Sequence, residues 1–274
     1  MKDILVVIGP TAVGKTDFAV AEAQKTGAEI ISADAFQVYR YMDIGTAKVS
    51  KEIRAEIPHH LIDIKDPSEN YSVAEFLQLA SSAIDDIRGR GRSIIICGGT
   101  AMYMKAFLYG YSLAPGSPDR PKDASWDQLN SIDPAAAALV HPSNQRRINR
   151  AWQIYQQTGQ IPSQVRKREE AMRSDVHIIG MAMDRQKLID RINLRVDSMI
   201  AQGLIEEVKS LLKMGISKTA QALEALGYKE IVQYLDGSLT KAGMIEWIKI
   251  RTRQFAKRQM TWYRSFDSVE WHNY

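Results

Sequence analysis

The chain has 274 residues, of which 45% are hydrophobic and 25% charged, and carries a formal net charge of +4. That is ordinary globular composition, long enough for one large domain or a domain with an insertion, and for a full core without covalent staples. The single cysteine, Cys97, excludes a disulfide within the chain and fits a reducing compartment; the five histidines show no metal-ligand spacing with it, and no apolar run approaches a membrane span.

Residues 4–8, Ile-Leu-Val-Val-Ile, read as a buried strand directly after the N-terminus, so no signal or transit peptide is expected. Gly9-Pro10-Thr11-Ala12-Val13-Gly14-Lys15-Thr16 then fits G-x-x-x-x-G-K-[ST], and 17–25 can wind as a helix. Strand, glycine loop and helix in that order are the context of a P-loop. Converging backbone N–H groups and the helix N-terminus suit the oxygens of a diphosphate or nucleotide. Lys15 would reach the terminal phosphate, and the Thr16 hydroxyl would ligate Mg²⁺. A second strand over 29–32 leads to Asp34, at the sheet edge that faces such a loop. A carboxylate there can hold Mg²⁺ through water, act as a general base, or cap the following segment, and the residues alone leave all three open.

Further strands are expected at 60–64, 93–97 and 177–181. Helices are expected over 73–88, opened by Ser72 and Glu75 as a capping box, and over 101–108. The strand at 93–97 puts Cys97 in the core and runs into Gly98-Gly99-Thr100. A motor or switch NTPase would carry an acid at that strand end to hold Mg²⁺ and position water. None is present. Two glycines admit close backbone approach there, and Thr100 offers a hydroxyl at the same rim or an N-cap for the next helix. This favours a transferase that uses the loop as a diphosphate clamp. Pro115, Gly116, Pro118 and Pro121 mark a linker, and 126–158 is helical in pattern. Residues 113–176 therefore read as a helical insertion into a core built from 1–112 and 177–274. Helices follow over 185–202, 205–213, 220–234 and 241–264, with Gly203, Gly215 and Gly237 at C-cap places. The fold class is α/β: a P-loop NTPase-like parallel sheet flanked by helices, with a helical insertion domain.

Bases gather at Arg146, Arg147 and Arg150, at 166–168, and along 241–264. Lys249, Arg253 and Lys257, spaced i, i+4, i+8, would stack on one helix face. Each cluster is a solvated surface or the footprint of an anionic partner such as nucleic acid.

The P-loop is followed by Asp34-Ala35-Phe36-Gln37-Val38-Tyr39-Arg40, Met42-Asp43-Ile44-Gly45-Thr46-Ala47-Lys48, Pro58-His59-His60 and Gly98-Gly99-Thr100 with Tyr103. Near the C-terminal end stand Gly227-Tyr228-Lys229-Glu230, Thr252-Arg253-Gln254, Arg258-Gln259 and Thr261-Trp262. In this order the chain resembles the tRNA dimethylallyltransferases, also called tRNA isopentenyltransferases. The resemblance implies transfer of a dimethylallyl group from dimethylallyl diphosphate to N6 of adenosine 37, in tRNAs reading codons that begin with U. It implies that Lys15, Thr16 and the loop amides of residues 9–16 grip the diphosphate with Mg²⁺. Asp34 would then take the N6 proton, and Thr100 would contact the diphosphate near the breaking bond. Asp34, Ala35, Phe36, Gln37 and Thr100 would touch the target nucleotide. Lys122, Arg146, Arg147, Arg150, Arg253 and Lys257 would hold the anticodon stem-loop. A monomer in the cytoplasm, with no membrane partner, goes with this. Ala35 stands where the family commonly has Ser. The stretch between Lys122 and Trp126 is shorter than usual, which implies a reduced RNA-gripping domain or residues missing from this chain. The alternatives are a small-molecule kinase on the same core, a prenyltransferase acting on free AMP or ADP, and a non-catalytic RNA-binding protein gated by nucleotide.

Overall fold

A computed structural model describes residues 3–111, 124–165 and 171–274. Strands β1 (Ile4–Ile8), β2 (Glu29–Ser32), β3 (His59–His60), β4 (Ile94–Cys97), β5 (Val176–Ala182) and β6 (Val269–Asn273) form one parallel sheet in the order β3-β2-β4-β1-β5-β6. Side chains alternate across a strand, so a strand covered on both faces must be apolar throughout. In β1, Ile4, Val6 and Ile8 enter the larger core while Val7 enters the smaller one. In β4, Ile94 and Ile96 divide in the same way from Ile95 and Cys97. The larger core also holds Phe76, Ala80, Ile84 and Ile87 of α3 (Val73–Gly89) and Met104, Phe107 and Leu108 of α4 (Ala101–Leu108). The smaller core lies under α1 (Lys15–Thr26), through Ala19 and Ala23. Among the described residues, no helix is long and apolar enough to cross a membrane.

The short α2 (Lys51–Glu56) precedes β3. The segment after Lys122 forms α5 (Trp126–Ile132), α6 (Pro134–Ala138), α7 (Gln145–Thr158) and α8 (Pro162–Val165) around a separate cluster of Ala124, Leu129, Ala137, Ile148 and Ala151. Asp133 ends α5 and opens α6: its carboxylate accepts from Ala136 N, Ser163 N and the Ser163 hydroxyl. The chain then runs through α9 (Arg185–Ala201), α10 (Leu204–Lys213), α11 (Tyr228–Leu235) and α12 (Lys241–Tyr263).

Four expectations need correction. The strand at 60–64 stops at His60 because Leu61 and Asp63 turn the chain with φ of 62° and 57°. Ile64 N and Lys65 N then bond Val38 O, so this apolar run docks a loop instead of extending the sheet. The capping box at Ser72 is half formed. Ser72 accepts from Glu75 N, but the Glu75 carboxylate pairs with Lys65 at 2.7 Å. The helix over 220–234 breaks into a 3-10 turn (Gln221–Glu224) and α11, divided by extended Ala225 and by Gly227 at φ 91°. Finally, β6 is a strand beyond the last expected helix, where no element was expected. It pairs with β5, and Gly180 of β5 makes room for it: a Cβ there would lie 2.6 Å from Val269 and Trp271.

Candidate active site

β1, β4 and β2 are neighbours, so their carboxyl ends bring together the loop 9–14, the turn at Gly98-Gly99-Thr100, and Asp34. Parallel sheets place binding sites at this edge. The loop's shape is enforced by contact. Gly9 has φ 150°, and a Cβ there would lie 2.6 Å from Met181 O; Gly14 has φ 106°. Ala12, also left-handed at φ 67°, packs against Ile192 of α9 and Ala256 of α12.

Two loop amides are already engaged: Thr11 N donates to Gln259 Oε1 at 2.8 Å and Val13 N to Pro10 O at 3.4 Å. Among the described residues, the amides of Ala12, Gly14, Lys15 and Thr16 meet no acceptor. They are the open face of the cradle, at a helix N-terminus that favours anions. Lys15 Nζ folds back onto Pro10 O at 2.8 Å. Burial pushes its ammonium down to about 8; Arg195 adds to the fall, while Cys97 and Asp34 oppose it. Cys97 lies beneath, its thiol 3.7 Å from Lys15 O and pushed up to about 11 by burial.

Asp34 Oδ1 accepts from Phe36 N (2.9 Å) and Gln37 N (3.4 Å), so this carboxylate does cap the segment after it. Oδ2 accepts nothing among the described residues and lies toward the glycine turn, where a Cβ on Gly99 would be 3.1 Å from it. Thr100 is the N-cap residue of α4, yet its hydroxyl does not cap that helix. It accepts from Ala35 N at 2.9 Å, while Thr100 N donates to Ala33 O at 3.2 Å. Thr100 thereby locks the end of β4 to the end of β2. The carboxamide of Gln37 is committed at both ends, to Ser32 Oγ (3.0 Å) and Thr46 O (3.1 Å).

The segment from Asp34 to Lys48 is held from several sides. Glu207 of α10 accepts from Asp43 N, Ile44 N, Gly45 N and the Tyr228 hydroxyl. Buried Lys48 bonds Tyr39 O, Asp43 and Asp63. This is a fixed platform beside the cradle, not a loose loop.

Several residues reach the site that the sequence reading assigned no role there. Arg191 and Arg195, one turn apart on α9, face the loop from the far side. A Cβ on Gly14 would lie 3.8 Å from the Arg191 guanidinium. Burial lowers the Arg195 pKa, with Asp34 and Asp17 opposing, and Arg195 makes no hydrogen bond or ion pair among the described residues. Gln259 and Tyr263 of α12 reach the glycine turn, with the Tyr263 hydroxyl 3.5 Å from Gly98 O. The i, i+4 arginine pair on an amphipathic helix was the one usable hint.

The basic residues are dispersed. Arg146 and Arg147 are exposed on α7, and Arg150 bonds Gln153 at 2.7 Å. Arg253 is half-buried between Asn193 (2.8 Å) and Glu246 (3.0 Å), and Lys249 pairs with Asp197 at 2.7 Å. The like charges stacked along α12 are therefore partly balanced by α9. Lys257 is exposed and makes no ion pair among the described residues. Lys122, the linker before it and the cluster at 166–168 lie outside the described residues. Among the described residues, no group of three His, Cys, Asp or Glu side chains forms a metal site. Thr16 is exposed with an uncommitted hydroxyl, a fit for a hard cation that takes most of its oxygens from phosphate and water.

Known proteins resemble this chain in sequence and fold. A family model described as IPP transferase matches residues 37–266. A tRNA dimethylallyltransferase of Anoxybacillus flavithermus is 45% identical over 98% of this chain and 89% of its own. The crystal structure of a full-length tRNA isopentenylpyrophosphate transferase from Bacillus halodurans superposes with a TM-score of 0.75 at 41% identity, over 100% of this chain and 90% of that one. A eukaryotic dimethylallyltransferase crystallised acting on tRNA gives a TM-score of 0.86 at 28% identity, over 100% of this chain and 74% of that one. The chain belongs to the tRNA dimethylallyltransferase family.

Proposed function

We propose that this protein transfers the dimethylallyl group of dimethylallyl diphosphate to the exocyclic N6 of adenosine 37 in tRNAs reading codons that begin with U. The observation that supports it is the unshared Oδ2 of Asp34, set beside an open diphosphate cradle at a sheet edge where β4 supplies no acid. The adenine amine is a poor nucleophile because its lone pair is delocalised into the ring. The reaction therefore depends on the leaving group. The bond from the allylic carbon to the diphosphate oxygen breaks, its electron pair leaves with the diphosphate, and N6 bonds that carbon. The N6 proton passes to Asp34 Oδ2, within hydrogen-bond reach of the base. The open amides, Lys15 and unpaired Arg195 receive the charge that develops on the diphosphate. Thr16 would help hold Mg²⁺, which would supply further neutralisation of that charge. The adenosine must leave its stack to enter, at a cost of a few kcal/mol that an anticodon loop reduces. The outward bases of α7 and Lys257 of α12 suit contacts to the RNA phosphates.

The test is incubation with labelled dimethylallyl diphosphate and unmodified tRNA, followed by mass analysis of nucleosides. N6-dimethylallyladenosine at position 37 is the expected product. No transfer to any such tRNA sinks the reading.

A pH effect follows from Lys15. With burial pushing its ammonium down to about 8, donor capture needs the form that prevails below that pH. kcat/KM for the donor is expected to fall above pH 8, by up to tenfold per unit. A profile flat to pH 10 would mean that Lys15 does not carry its charge onto the donor.

A further inference from the structure

We propose that Gln259 is the positioning residue that fixes the diphosphate cradle relative to the base; this rests on the function proposed above. Gln259 sits on α12, far along the chain from the motifs it touches, and is 2% exposed. A buried carboxamide is tolerated only when both its ends are bonded. Here its Oε1 accepts from Thr11 N at 2.8 Å, and its Nε2 donates to Gly99 O at 2.6 Å. One side chain thus joins the loop after β1 to the turn after β4. That turn is joined to β2 by Thr100, through Ala33 O and Ala35 N, and Asp34 lies between those two residues. A Cβ on Gly99 would be 3.1 Å from both Gln259 Nε2 and Asp34 Oδ2, so the amide and the open carboxylate oxygen flank the same point.

The two bonds do different work. The Thr11 bond takes that amide out of the anion site and fixes the peptide that aims those after it. The Gly99 bond sets the turn against which Asp34 and Thr100 are registered. Reactions between two bound groups depend on such spacing: an error of about 1 Å can cost about a hundredfold in rate. An amide satisfies both ends without titrating; a protonated carboxyl could imitate it, an ionised one could not. A carboxylate could still accept from Thr11 N but would repel Gly99 O, while a thioether of similar size does neither.

Two variants separate these roles. Gln259→Glu, assayed across pH, is expected to keep the donor KM within about threefold while kcat falls at least tenfold once the introduced carboxyl is ionised. Gln259→Met is expected to raise donor KM about tenfold and to lower kcat as well. The thermal midpoint of each variant is measured alongside. If both variants keep kcat and KM within twofold, or lose activity only in proportion to the folded fraction, Gln259 is packing and the proposal falls. Should the Glu variant not fold, the Met variant alone decides, by the same twofold limit. Unaltered protein is run in the same assay. Its failure to transfer would sink the functional reading and leave the clamp to be judged by calorimetry of dimethylallyl diphosphate binding, where the Met variant is expected to bind about tenfold more weakly and equal affinity overturns the clamp.

Discussion

Asp34→Asn is expected to lower turnover by about 10²–10⁴-fold, the range carried by a positioned general base, while donor affinity stays within about threefold. The substitution is gentle to the fold for a specific reason. Oδ1 accepts from Phe36 N and Gln37 N, and an asparagine carbonyl can take over both bonds. Its amide nitrogen then falls where Oδ2 stood, beside the glycine turn, and cannot accept a proton. Asp34→Ala would remove the cap together with the base and confuse the two. Single-turnover rates with saturating tRNA, set beside calorimetric donor binding, make the distinction. A parallel collapse of both would move Asp34 from proton transfer to metal binding or structure.

What the sequence disclosed follows how local each feature is. The P-loop is contiguous, and its glycines are demanded by the positive φ of Gly9 and Gly14. The strands β1 and β4 are apolar along their length because both faces are covered, and that pattern is plain in the residues; β2 keeps only Ile30 and Ile31 apolar, between buried Glu29 and Ser32. β6 was hidden because an edge strand needs only one apolar flank, and Val-Glu-Trp-His-Asn has too few apolar residues to announce itself. The run Leu-Ile-Asp-Ile after His60 reads as a strand, yet Asp63 is drawn to Lys48 and Arg54 and turns the chain away. At the site, Asp34 and Thr100 stood out as residues at strand ends. Arg195 and Glu207 did not, because they arrive on α9 and α10 through tertiary packing, and Gln259 stood out only as part of the Arg258-Gln259 motif, with no sign of what it bonds. Gln259 bonds a residue 248 positions away, a relation that no local spacing expresses. The carboxylate of Glu207 is equally silent in sequence: on an amphipathic helix with Glu206 beside it, nothing marks which of the two turns inward to take the amides of 43–45.

Gly98→Ala is expected to lower kcat/KM by about a hundredfold, from a displacement of the order of 1 Å between cradle and base, and to destabilise the fold by about 1–3 kcal/mol through overpacking. Its backbone is not left-handed, so the constraint is contact alone. A Cβ would lie 2.2 Å from Ala33 O and 2.3 Å from Ala33 C, and neither is a flexible side-chain end that could swing aside. The ends of β2 and β4 must separate. They are tied at that level by Ala33 N to Cys97 O (2.9 Å) and Thr100 N to Ala33 O (3.2 Å), so separation weakens both bonds. Asp34 follows Ala33 directly and is carried off with it, while the loop stays with β1. Gly89→Ala is the control: a Cβ there meets nothing within 4 Å, and alanine suits the end of α3 better than glycine does. It is expected to leave activity unchanged and stability equal or slightly higher. Urea unfolding and steady-state kinetics on the two variants decide the matter. Equal behaviour would show that the β2 and β4 ends have slack, and that a tight approach of these strands is not what sets the distance between base and cradle.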